Sequence, residues 1–368
     1  VWIMAYTTID KPTDYFNTVT WSGDDTSPRN ITGVGFQPDL VWGKVRSRIG
    51  NHWLIDSNRG TTGSLYKVLN ADDSVAEQTT NSGGTTSYGI VTTIGTDGFT
   101  VADGSLGDLN VNNTGDTYVS WNWLAGGTAS SNTDGSTTTS VSANTNSGFS
   151  IVSWTGTGSA TTLGHGLNSK PEMIFIKNRD ATQNWVVYNS YLSGTEGHKA
   201  LYLDLNYAET DQTGFFNDTA ATSSVFTVGS NGNTNNSGDD FIAYCFHSVK
   251  SYSKMGSYTG NGSTTDGTFV YTGHSVAWVM IKQSNEARDW VIYDNKRDAF
   301  NVKDNFIVPN SSNAEGSGNT SLQIDFLSNG FKLRGGNHAL NKSGGSYIFM
   351  SFAESPFTTS TGIPTTAR

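Results

Sequence analysis

One cysteine, seven prolines and only 15% charged residues are what this 368-residue chain leaves scarce. The single Cys245 excludes an intrachain disulfide framework and any thiolate metal cluster. Secreted β-proteins of this size often carry bridges, so their absence points to folding in a reducing cytoplasm. Later exposure outside a cell fits that picture equally well. Basic residues are outnumbered, 22 against 32 acidic, for a net charge of −10. With no basic stripe, no nucleic-acid partner is expected. No apolar run approaches the length of a membrane span and no signal-peptide core is visible, so no membrane insertion is expected. Ala, Glu, Lys and Leu are too sparse to surface helical bundles.

Glycine, with 42 residues, and Ser, Thr and Asn are abundant, and aromatics make up 12% of the chain. Turn formers mixed with Thr, Val, Tyr, Phe and Trp indicate an all-β protein. The aromatic content argues against disorder, because each segment has large side chains to bury.

A pattern then occurs three times. Its starts are Trp21-Ser22-Gly23, Trp154-Thr155-Gly156 and Tyr258-Thr259-Gly260. Apolar runs follow that end in Lys44, Lys177 and Lys282, and Trp53, Trp185 and Trp290 come soon after. Phe-centred strands sit around Phe99, Phe226 and Phe331. Aromatic strands close each copy: Tyr118 to Trp123, Phe241 to Phe246 and Tyr347 to Phe352. A supersecondary unit has been copied, so the expected fold class is three tandem β-sandwich modules, jelly-roll-like, each with its own core. An up-and-down barrel or an interlocked prism of several chains are the alternatives.

The expected boundaries are an N-terminal arm at 1–14, modules at 15–125, 148–250 and 251–354, and a C-terminal tail at 355–368. A Gly/Ser/Thr-rich linker at 126–147 reads as flexible, which would hinge module one while modules two and three pack closely. Met4 is the expected start, with the first three residues from an upstream reading frame. Pro38 and Pro171 precede the Lys-ended runs, where a missing N–H costs little, and Val276 replaces them in module three.

Period-two alternation puts Val119, Trp121 and Trp123 on one face of the first closing strand. Ile242, Tyr244 and Phe246 match them in the second, and Ile348, Met350 and Phe352 in the third. That face should be core, and Cys245 on the opposite face a buried structural thiol. Trp53, Trp185 and Trp290 could stack on sugar rings, but one aromatic at a fixed strand position reads as core. Lys44, Lys177 and Lys282 are expected to end strands at the solvent boundary.

No catalytic, cofactor-binding or metal-ligating residue set emerges. The six histidines lack zinc-protease spacing, and no nucleophile elbow or phosphate-binding loop occurs. His165 and His274 fall in turns without a readable partner. Asp24-Asp25, Asp72-Asp73 and Asp239-Asp240 are paired acids, but sequence does not set the carboxylate separation a glycosidase needs. Asp116 and Asp239 follow glycines as turn formers. Such loops can hold structural calcium, yet no EF-hand-like ligand series is present. Gly260-Asn261-Gly262 is expected to be a hairpin turn.

Several phrases carry a resemblance. Tyr252-Ser253-Lys254-Met255-Gly256-Ser257-Tyr258-Thr259-Gly260-Asn261-Gly262, Asp325 to Leu333, Gly345 to Glu354, Gly35 to Trp42 and Asp56-Ser57-Asn58-Arg59-Gly60 resemble proteins of tailed bacteriophages, particularly those of marine bacteria. The likeness spans essentially the whole chain. It implies a non-catalytic virion component on the particle surface, tail-fibre-like or receptor-binding, that presents β-sandwich loops to a host. Implied partners are further copies of the chain, a trimer above all, other virion proteins, and a host surface glycan or protein. A decoration protein of capsid or tail is the alternative, and a glycan depolymerase a third reading. The resemblance brings no active site.

Overall fold

The computed structural model describes residues 6–63, 65–78, 90–102 and 111–364. The proposed start at Met4 lies outside the described residues. The chain is all-β, and its named strands pair antiparallel throughout. Each repeat contributes an inner sheet and a smaller outer one. Module one's inner sheet runs, in order, Phe16–Ser22, Thr117–Trp123, Leu40–Val45, Trp53–Asp56 and Leu69–Asn70. In module three the order is Ser253–Thr259, Ser346–Pro356, His274–Gln283 and Val291–Asp294. The closing strand of each module lies beside the strand that opens the copy, second in the sheets of modules one and three and fourth in that of module two.

Local chemistry explains the repeated aromatic–x–Gly start. Trp21 stacks on Tyr118 with ring centroids 5.2 Å apart, Trp154 on Phe241 at 5.3 Å, and Tyr258 on Tyr347 at 4.8 Å. Each pair sits directly opposite across the ladder between opening and closing strands. The glycine two residues on must pass close to backbone. A Cβ on Gly23, Gly156 or Gly260 would lie 1.8, 2.0 and 2.3 Å from the carbonyl oxygens of Asn113, Asn236 and Lys342. No other residue fits there.

The closing strands bury both faces, because each lies between two cores. One face meets the module's own outer sheet. Phe226, Phe241 and Cys245 pack there in module two, and Phe331, Tyr347 and Phe349 in module three. The other face enters one central core shared by all three modules. Trp123, Phe246 and Phe352 meet there pairwise, with centroid separations of 6.2, 5.7 and 6.1 Å. Trp121, Tyr244 and Met350 form the next layer, followed by Val119, Ile242 and Ile348. The three inner sheets thus stand around a pseudo-threefold axis. Each module has the expected core of its own between its two sheets, but the expectation that it is self-sufficient is corrected by the shared central core. Apolar residues on both faces of a strand require two partners, and a lone sandwich supplies only one.

The expected flexible linker is also corrected. Residues Ser130–Asn132 and Thr139–Asn144 form strands that extend module two's sheet beyond Phe149–Thr155. Thr and Ser alternate there with Val141, which buries into module two's outer core, and the open edge supplies ladder partners. Module one is not hinged, since it contributes a third of the central core. Val276 stands where the other modules have proline because His274–Gln283 begins earlier, pairing through a bulge near Val276 with Ser346–Pro356.

Candidate functional site

The side chains that repeat most regularly gather at three seams between modules. Lys44, Lys177 and Lys282 do not end at solvent, as the sequence suggests, but are fully buried. Lys44 Nζ donates to Val45 O at 2.8 Å and to Ser312 O of module three at 3.3 Å. Lys177 Nζ reaches Ser74 O of module one at 2.8 Å, and Lys282 Nζ reaches Asn206 O of module two at 3.4 Å. Each lysine crosses to the preceding module, and the three contacts close a ring. Burial pulls their pKa values down to about 8, 8 and 7.

The eighth residue after each lysine makes the next crossing. Trp185 Nε1 donates to Asn70 O and Trp290 Nε1 to Tyr202 O, both at 2.7 Å. In module one that position is His52, whose Nε2 lies 3.1 Å from Val308 O. The sequence alignment through Trp53 is therefore one residue out of register. Trp53 points to the outer core, edge-on to Phe99 and over Gly43, where no Cβ fits. Trp42 Nε1 donates to His52 Nδ1 at 3.0 Å, so the ring proton sits on Nε2 and bonds Val308 O. Burial holds His52 neutral, well below its usual pKa.

Behind these groups, Asp72, Asp204 and Asn310 accept the backbone N–H of His52, Trp185 and Trp290 at 2.8, 3.1 and 2.9 Å. Burial raises Asp72 to about 6 and Asp204 to about 7.

Two seams add a buried ion network that the sequence analysis missed. Asp56 pairs with Arg59, which reaches Glu77 at 3.3 Å, and Arg179 of module two clamps Glu77 at 2.9 Å. Tyr244 of module two bonds Asp56 Oδ2. In parallel, Asp294 pairs with Arg297 at 2.6 Å, Arg297 with Glu315 at 2.8 Å, and Glu315 with Arg46 of module one at 2.8 Å. Trp121 bonds Asp294 Oδ2. The third seam lacks this set: Asn189, Leu192, Ser284 and Met350 occupy the matching places, and the Asn189 amide nitrogen is buried without a partner among the described residues. Backbone contact survives, as Glu209 N donates to Ser284 O at 2.7 Å. The signal was present in the sequence, as an Asp-x-x-Arg twelve residues after Lys44 and Lys282 with a glutamate eighteen beyond each arginine.

The remaining candidates stay apart. His165 accepts from Leu167 N at 3.2 Å and contacts Thr222 O, and burial lowers it to about 4. His274 contacts Ser351 Oγ at 3.2 Å, and burial lowers it to about 3. Asp24 and Asp25 tie turn backbones at Thr26 and Thr114. Asp73 accepts from Val75 N, Asp116 holds Ser47 and Arg48, and Asp239 holds Asn178 and Asn236. Asn261 closes its turn onto Ser263 N. Cys245 is fully buried, and burial pushes its thiol pKa up. Trp53, Trp185 and Trp290 are likewise buried. Among the described residues, no three His, Cys, Asp or Glu side chains converge as a metal cage.

A single family model spans residues 11–356, and the chain belongs to that family, DUF7483, a domain of unknown function. One model covering all three repeats fits one body with a shared core. No curated protein and no solved structure matches the chain.

Proposed function

We propose that this protein is a non-catalytic component of a phage particle surface, of tail-fibre or receptor-binding type. One observation carries the non-catalytic part. The repeated lysines, His52 with Trp185 and Trp290, and the acid–arginine pairs turn inward and hold module to module. What remains outside is a rigid frame bearing Ser, Thr, Asn and Gly loops, the usual place for recognition. The resemblance to tailed-phage proteins supplies the setting, and homotrimeric assembly through open sheet edges belongs to the same proposal. Light scattering of the purified chain tests the trimer. Competition tests the role: soluble protein should slow adsorption of the parent phage to its host. Unchanged adsorption at saturating protein would contradict it.

A decoration protein is the second reading, favoured by the cyclic arrangement of modules. One chain already presents three related faces about an axis, so a single copy suits a threefold site. Copy number separates the two, with hundreds per particle for decoration and tens or fewer for a fibre, as orders of magnitude from closed symmetry. Release of reducing ends from host envelope glycan would favour the depolymerase reading instead.

A further inference from the structure

We propose that module two carries a binding groove for a neutral oligosaccharide, on a two-strand extension without a counterpart among the described residues of modules one and three. Ser131 pairs with Ser140, and Ser140 with Ser153, across three adjacent strands. Direct cross-strand partners share a face, so three hydroxyls stand in a row at strand spacing, about 4.8 Å apart. Further in, the same face carries Ile151 and Ile242 into the central core. The serines continue it outward, where it becomes wet. Among the described residues, none of the three hydroxyls has a protein partner, while most neighbouring side-chain oxygens are engaged.

Charged groups close one end of the row. Thr155 Oγ1 donates to Asp240 Oδ1 at 3.0 Å, and Arg179 Nη1 lies 3.8 Å from Asp240 Oδ2. The groove is shallow and largely open to solvent, holds about 390 Å³, and is walled by Trp154, Thr138 and Thr139 as well. That volume falls within the range of small-ligand sites.

Its chemistry selects the ligand. A row of hydroxyls, each both donor and acceptor, matches a chain of sugar hydroxyls, and the strand spacing repeats as sugar units do. Anionic sugars are disfavoured. Arg179 is already clamped on Glu77, and the half-exposed Asp240 carboxylate would repel a second one. The inference rests on the host-surface reading above and names the class of receptor.

The test uses the intact chain with trimers of glucose, galactose and N-acetylglucosamine, and a galacturonate trimer as the anionic arm. Titration calorimetry should find binding of at least one neutral trimer. S131A/S140A/S153A, and separately S140Y to fill the groove, should each weaken it at least tenfold with an unchanged thermal midpoint. The galacturonate trimer should not bind. Absence of binding by every neutral trimer, unchanged affinity in both variants, or equal binding of galacturonate would overturn the proposal. If the variants block phage adsorption as well as the wild type does, the groove is wrong and the virion role stands. If the wild type itself blocks nothing, the virion role fails.

Discussion

The Tyr244 hydroxyl donates a 2.7 Å hydrogen bond to Asp56 Oδ2, joining modules one and two across 188 residues of chain. Trp121 does the same to Asp294 at the next seam, at 3.0 Å. Two different donors thus reach the equivalent carboxylate oxygen at the two seams. Tyr244→Phe removes the bond and leaves Asp56 to the Arg59 guanidinium and the backbone N–H groups of Asn58 and Arg59. The expected loss is about 1.5–3 kcal/mol, typical of a hydrogen bond to a charged group, read from urea unfolding.

The third seam shows what an uncharged version looks like. Arg59→Leu should destabilise the protein by about 3–5 kcal/mol, because it strands the buried Asp56 carboxylate. Asp56→Asn with Arg59→Leu copies Asn189 and Leu192 of module two and should recover most of that loss. A double variant no more stable than the single would contradict this account of the seam.

Asp72 and Asp204 give a pH signature. Their folded pKa values, about 6 and about 7, lie above the unfolded value of about 3.9. Between those limits the folded state binds more protons, so their contribution to stability falls as pH rises from about 4 to about 7. The buried His52, His165 and His274 and the half-buried His247 have lowered pKa values and pull the opposite way as pH rises toward about 6.5. The informative quantity is therefore the difference between wild type and D72N/D204N. Unfolding midpoints across that range should show the variant gaining on the wild type as pH increases, and parallel curves would refute the assignment.

Gly156 sits against Asn236 O with no room for a methyl group. Gly156→Ala must shift the loop or the opening strand, at a cost of about 1–3 kcal/mol by analogy with overpacking. Thermal denaturation measures it, and a neutral outcome would remove close approach as the reason for the repeated glycine.

Much of this was legible in the sequence. Alternation in Tyr118–Trp123 and its two counterparts identified the central-core face, because period two is written directly into the residue order. The glycine after each opening aromatic marked the copies. Lys44, Lys177 and Lys282 were misplaced because a strand-terminal lysine ordinarily reaches water, and only the neighbouring module's carbonyls make burial tolerable. Trp53 aligns with Trp185 and Trp290 by residue type, whereas the spacing of eight from the lysine falls on His52. The ion networks went unseen because Glu77 and Glu315 meet their second arginines only through the ring of modules. Ser131 to Ser140 looked like linker because a polar strand declares itself only when an open edge lies beside it.

The central claim is that three repeats share one core and three seams, and scanning calorimetry of the intact chain tests it most directly. A single transition is predicted, with the calorimetric enthalpy equal to the van't Hoff enthalpy. Two or three separable transitions, one per repeat, would contradict it.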